Sequence, residues 1–204
     1  MSILTRGIIY FSPGQPSNHA FKETPMPILR QIAQLGQPVL RQETAPVVDP
    51  GDPAIQALID DMMATMFDAS GVGIAATQVY EPLRLFIVAP YPNPRYPQAP
   101  AMEPVPMLNS EILWKSDETE KGWEGCLSVP GIRGQVPRST RIGVRYLTRG
   151  GEVREEELAG FGARVFQHEY DHISGLVFLD RVESTTDLVS EREYLRIVSS
   201  HGLQ

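Results

Sequence analysis

Apolar residues recur at Ile55, Leu58, Ile59, Met62, Met63, Met66 and Phe67, the spacing of one face of an α-helix. Asp52 ahead of them suits an N-cap and Pro53 the first helical position. A core-facing helix is therefore expected over residues 53–68. Leu83 to Ala89 is a continuous apolar run of strand length, and Met107 to Trp114 reads as another strand. Ile142 to Thr148 and Glu152 to Leu158 alternate around Gly150-Gly151, a hairpin signal. Helical spacing returns in Phe161 to Ile173, stopped by Ser174-Gly175, and a last helix is expected over Asp187 to Ser199 on Leu188, Leu195, Ile197 and Val198. Seven prolines between residues 90 and 106 mark a surface excursion. Residues 1–27, with Pro13, Pro16, Pro25 and Pro27, read as an irregular extension, and 28–204 as a single domain. Strands and helices mix without βαβ alternation, so the expected class is α+β.

Composition changes this picture little. The 204 residues are 42% hydrophobic and 21% charged, an ordinary globular balance. The net charge of −7 argues against a general nucleic-acid binder. No apolar run approaches the ~20 residues that span a bilayer, and Ile8-Ile9-Tyr10-Phe11 is too short for a signal peptide. One cysteine, Cys126, excludes an intramolecular disulfide.

The chemistry concentrates in His168-Glu169-Tyr170-Asp171-His172. On a helix, positions i and i+4 lie one turn (~5.4 Å) apart on one face. Two imidazoles so placed can share a metal ion, with Glu169 beside them to take a proton from an activated water. Such a site wants three protein ligands and one open position, and three third ligands come into question. A histidine after a glycine fails, because Gly175 is present but Phe178 stands where the histidine would be. Glu191 or Glu193 lies at the distance seen in general metallopeptidases, although Ser190 to Glu193 also reads as a solvated helix face. Cys126, between Gly125 and Pro130 in a held turn, would give a Cys-His-His site suited to Fe(II), Zn, Co or Ni. A closed structural site would need a fourth protein ligand, and no convincing one is available.

Three motifs in order carry a resemblance to the peptide deformylase family. Gly71-Val72-Gly73-Ile74-Ala75-Ala76-Thr77-Gln78 resembles its G-x-G-[hydrophobic]-A-A-x-Q motif, Glu124 to Ser128 its E-G-C-[hydrophobic]-S motif, and Gln167 to His172 with Gly175 its Q-H-E-x-D-H-x-x-G motif. Ile74 and Thr77 depart from the commoner Leu and Pro. The resemblance spans residues 28–182, including Gly36 to Arg41 and Phe178 to Arg181. It implies mixed or antiparallel sheets packed around a central helix carrying the H-E-x-x-H motif. It also implies Cys126, His168 and His172 as ligands of one divalent metal, with Fe(II) native and Zn, Ni or Co as alternatives.

On the same resemblance, Glu169 is general base and then acid, while the Gln78 amide and the Leu127 N–H hold the oxyanion. Gly71 and Gly73 let a peptide backbone approach, and Phe161, Val165 and Glu124 are expected around the methionine pocket. Arg133 is placed near the peptide path, with an exposed loop arginine as the equal alternative. Asp171 and Gln167 are expected to orient the ligands. The implied partners are N-formyl-methionyl nascent peptides at the ribosome, with no nucleic acid and no membrane. The implied compartment is the bacterial cytoplasm, with an organelle as the alternative.

Overall fold

In the computed structural model, residues 26–200 are described. Residues 1–25 of the expected extension and residues 201–204 lie outside them. Helix α1 spans Pro53–Asp68, the bounds the apolar spacing predicts, and the Asp52 side chain caps it by accepting from the Ala54 N–H at 2.8 Å.

A five-stranded sheet follows. In chain order it contains β1 (Gly73–Ala75), β2 (Leu85–Val88), β3 (Val105–Lys115), β6 (Arg141–Leu147) and β7 (Val153–Ala159), and these neighbour one another in that order, all antiparallel. The sheet has a helix on each face at its β1–β2 end. Leu85 and Ile87 point toward α1 and its Leu58, Ile59, Met62 and Met66. Phe86 and Val88 point the other way, toward Ala163 and Phe166 of helix α2 (Gly160–Ile173). This is why β2 reads as a continuous apolar run: a strand covered on both faces has no polar side to alternate with. The Phe86 and Phe166 rings meet edge to face at 5.1 Å.

The second sheet holds β4 (Thr119–Cys126), β5 (Val129–Ser139) and β8 (Leu188–Ser190) in that order, again antiparallel. Its strands were not legible in the sequence, because Gly122, Gly125, Gly131, Gly134, Pro130 and Pro137 are poor strand formers. Here tertiary packing overrides propensity, with Cys126, Val129 and Val136 closing on Phe178. The expected C-terminal helix is also corrected. Leu188–Ser190 extend and pair with Ile132–Gly134 on the open edge of β5, so helix α3 starts only at Glu191 and runs to Ser200.

Helix α2 touches β1, β2, β6 and β7 of the first sheet and β5 of the second, so it lies where the two sheets meet. Near the N-terminus, the segment before the short 3-10 turn Pro38–Arg41 straps onto the same region. Ala33 N–H donates to the Gln78 carbonyl and Leu35 N–H to the Ser128 carbonyl, both at 2.8 Å. Among the described residues, no helix is long and apolar enough to cross a membrane.

Candidate metal centre

Two periodicities bring the site together. On α2, His168 and His172 are one turn apart and buried. On β4, Glu124 and Cys126 are two residues apart, so strand alternation turns both to the buried face. Cys126 ends the strand at a tight hairpin, pairing with Val129 across Leu127 and Ser128. The Cys126 Sγ lies 3.2 Å from His172 Nε2, and the donor atoms of Cys126, His168 and His172 all fall within 4.8 Å of one another.

Glu124 fixes one imidazole. Its Oε2 is 2.9 Å from His168 Nδ1, which leaves Nε2 as the atom free to ligate. Burial pushes the Glu124 carboxyl up, but hydrogen bonds from His168 and Arg138 outweigh this and hold it far below the usual carboxylate range. His168 therefore donates to an ionised carboxylate. Arg138 grips Glu124 with two bonds of 2.9 Å and reaches Asp171 with a third of 2.6 Å. Arg164 adds 3.0 Å to Glu124 and Arg181 adds 2.7 Å to Asp171. Glu124, Arg138 and Asp171 are all nearly excluded from solvent.

The donor set suits a metal. Burial raises the Cys126 thiol, yet the two histidines beside it win and lower it well below its ordinary value. A buried thiolate between two imidazoles is the state that coordinates. Glu169 stands next to this group, buried, with its Oε2 lacking any hydrogen-bond partner among the described residues. Burial pushes its carboxyl up to about 7, against the pull of His168 and His172. An orphan carboxylate oxygen beside three converging donors is the arrangement a cation and a polarised water would complete.

Gln78 sits in the 3-10 turn Ala76–Val79 behind β1. Its Oε1 accepts from Ala75 N–H at 2.9 Å, which orients the amide. Its Nε2 then donates toward Cys126 Sγ at 3.4 Å and Ser128 Oγ at 3.1 Å.

Gly71, Gly73, Gln78, Glu124, Cys126, Leu127, Phe161, Val165, His168 and Glu169 line one cleft, with about 450 Å³ of space partly open to solvent. His172 is buried beneath it. Arg133 is placed differently from either expectation. It is buried under α3, paired with Glu191 at 2.6 Å, and is not a lining residue. That pairing, and the Glu193–Arg196 pair at 2.7 Å, leaves both glutamates outside the metal group. Asp171 and Gln167 bond arginines and the Ser139 backbone rather than the imidazoles, so orientation of His168 falls to Glu124 instead. Sequence reasoning missed Arg138, Arg164, Tyr96 and Trp123. Arg138 sits in an unrecognised strand and Tyr96 in a loop set aside as a surface excursion.

The polypeptide deformylase family profile matches residues 29–187. Peptide deformylase 2 of Nostoc sp. is 53% identical over 175 residues, covering 86% of this chain and 98% of its own length. Peptide deformylase 2 of Shewanella oneidensis is 49% identical over 150 residues, covering 74% and 82%. Among solved structures, the Met-Ala-Ser-bound class I type b peptide deformylase of Acinetobacter baumannii superposes with a TM-score of 0.75 at 47% identity, covering 77% of this chain and 100% of that one.

Proposed function

The chain belongs to the peptide deformylase family, metal-dependent enzymes that remove the formyl group from the N-terminal methionine of new proteins, and from that premise we propose how its own residues carry out this hydrolysis. The observation that carries the reading is the pairing of a buried Cys126-His168-His172 group with the unpartnered Glu169 carboxylate on one cleft. Cys126, His168 and His172 would hold one divalent ion. Fe(II) is the native metal we infer, since a thiolate with two imidazoles suits it, with Zn, Ni or Co as substitutes. When bound, the ion supplies Lewis-acid polarisation of water and of the formyl oxygen.

The protein does the rest. Glu169 accepts the proton of the attacking water at its free Oε2 and delivers it to the departing amine, one carboxylate serving both steps. Its pKa near neutrality favours that exchange. The Gln78 amide and the Leu127 N–H face the developing oxyanion, and donors aimed at such charge supply a large share of catalysis. The Gly71–Gly73 segment offers bare backbone along which the peptide adds as a strand. Phe161, Val165 and Leu127 receive the methionine side chain in the apolar part of the cleft. The substrates are nascent chains at the ribosome of a bacterial-type cytoplasm, and the products are formate and a free amino terminus.

The test is anaerobic formate release from formyl-Met-Ala-Ser, with metal content measured, on wild type and Cys126→Ser. The expected result is turnover and bound metal in wild type and loss of both in the variant. No formate from metal-loaded wild type overturns the reaction, and metal retained by the variant overturns the ligand set.

A further inference from the structure

The Pro-rich excursion has no part in the reaction just described, yet it reaches the cleft. It is closed on itself by the Met102 N–H donating to the Pro90 carbonyl at 2.8 Å. Within it, Asn93 Oδ1 accepts from the N–H groups of Arg95 and Tyr96 at 2.9 and 3.1 Å. Prolines at 90, 92, 94, 97 and 100 remove further backbone freedom. So fixed, the loop places Tyr96 on the cleft wall, its ring 5.6 Å from that of Phe161.

Tyr96 is braced from behind. Its hydroxyl donates to the Gly125 carbonyl at 3.4 Å and accepts from Arg133 Nη1 at 3.0 Å. The Arg133 guanidinium lies between two rings, 5.1 Å from the centre of Tyr96 and 4.9 Å from that of Tyr194. It also donates twice to Glu191, at 3.1 and 2.6 Å. Gly125 makes room for it: a Cβ there would stand 2.7 Å from Nη1. Tyr194 packs in turn on Trp123, another lining residue, at 5.4 Å. Two walls of the cleft thus lean on α3, which does not itself line it.

We propose that Tyr96 is a specificity-determining residue that closes the cleft around the first side chain of the substrate, and that Arg133, Glu191 and Tyr194 are positioning residues that hold it there. The inference rests on the deformylase reading and adds a residue to it. A fixed ring packed beside Phe161 extends that wall of the cleft and limits the girth of the side chain admitted, which favours a slender unbranched apolar one. Removing Glu191 leaves a buried guanidinium without its carboxylate, a costly state. Arg133 then turns toward water and releases Tyr96.

The experiment is steady-state formate release from formyl-Met-Ala-Ser and formyl-Phe-Ala-Ser by wild type, Tyr96→Ala, Glu191→Ala and the double variant, with metal content and Tm measured. Tyr96→Ala is expected to raise KM for the methionyl peptide about tenfold with kcat within about twofold, and to narrow the preference for Met over Phe at least about fivefold. Glu191→Ala is expected to raise KM about threefold alone and to add nothing in the Tyr96→Ala background, because it acts through that residue. Unchanged KM and preference in Tyr96→Ala, or a full Glu191→Ala effect in the double variant, overturns the proposal. If Tyr96→Ala does not hold metal, Tyr96→Val, which still covers the loop but removes the ring, is read by the same criteria. Absence of wild-type turnover would overturn the deformylase reading itself, whereas wild-type turnover with an indifferent Tyr96 overturns only this inference.

Discussion

Gly73→Ala isolates the placement of the Glu169 carboxylate, the proposed base. An added Cβ would stand 2.5 Å from Glu169 Oε1 and 2.9 Å from its Cδ and Cγ. Ordinary contact begins near 3.4 Å, so the carboxylate must withdraw by about 0.9 Å. The backbone cannot yield instead, because Gly73 is paired with Val88 in the sheet and β1 is fully buried. A displacement of about 1 Å at a reacting group costs about 10²-fold in rate, or about 2.7 kcal/mol in the barrier. The assay is kcat and KM for formyl-Met-Ala-Ser under anaerobic conditions, with metal content and Tm. The expected outcome is a kcat near one hundredth of wild type with metal retained. A metal-loaded variant within about threefold of wild-type kcat would show that Glu169 does not act from this position.

Three further outcomes follow from the same geometry. Gln78→Leu should lower kcat by about 10²–10³ with little change in KM, as loss of one oxyanion donor does, and a fall carried by KM alone would assign the amide to binding. Arg138→Met strips Glu124 and Asp171 of a buried partner, so a loss of about 3–5 kcal/mol is expected, seen as a Tm fall of about 10 °C. Metal affinity should fall about 10–100-fold with it, through the slackened Glu124–His168 bond, and an unaltered Tm would refute the network's role. Chelation should lower Tm reversibly, since an ion held at 1,000 times its Kd contributes about 4 kcal/mol, and a melting point indifferent to metal would contradict the shared site.

Much of this architecture was readable without coordinates where periodicity and burial agree. α1 and α2 each present an apolar face to the core, and the glycine turn between β6 and β7 marks the hairpin that forms there, so local pattern and tertiary need coincide. The two histidines were legible because i, i+4 spacing on a helix has a geometric meaning, whereas Cys126 was singled out only by the family resemblance. What could not be read was set by long-range contact. β4 and β5 form against the propensity of their glycines and prolines, and Leu188–Ser190 become a strand because β5 leaves an edge to pair with. Arg133 illustrates the limit most clearly. Its sequence neighbours suggest an open loop, whereas its surroundings come from residue 96 on one side and residues 191 and 194 on the other. Glu124, expected at a pocket edge, lines the cleft and also bonds the His168 imidazole, a relation no local pattern encodes.

One helix carries both the packing and the residues of the proposed chemistry. Ala163, Phe166 and Ile173 of α2 fill the core beside the first sheet, while His168 and Glu169 leave the same fourteen-residue element to line the cleft, with His172 buried beneath it. A core substitution that tilts α2 slightly therefore alters reactivity in the same stroke, so mutational drift in the interior is screened twice, for folding and for turnover. Tyr96 and α3 escape that double screen. They lie outside α2, so if Tyr96 sets specificity as proposed, changes there retune the peptides accepted while leaving the packed residues of α2 in place.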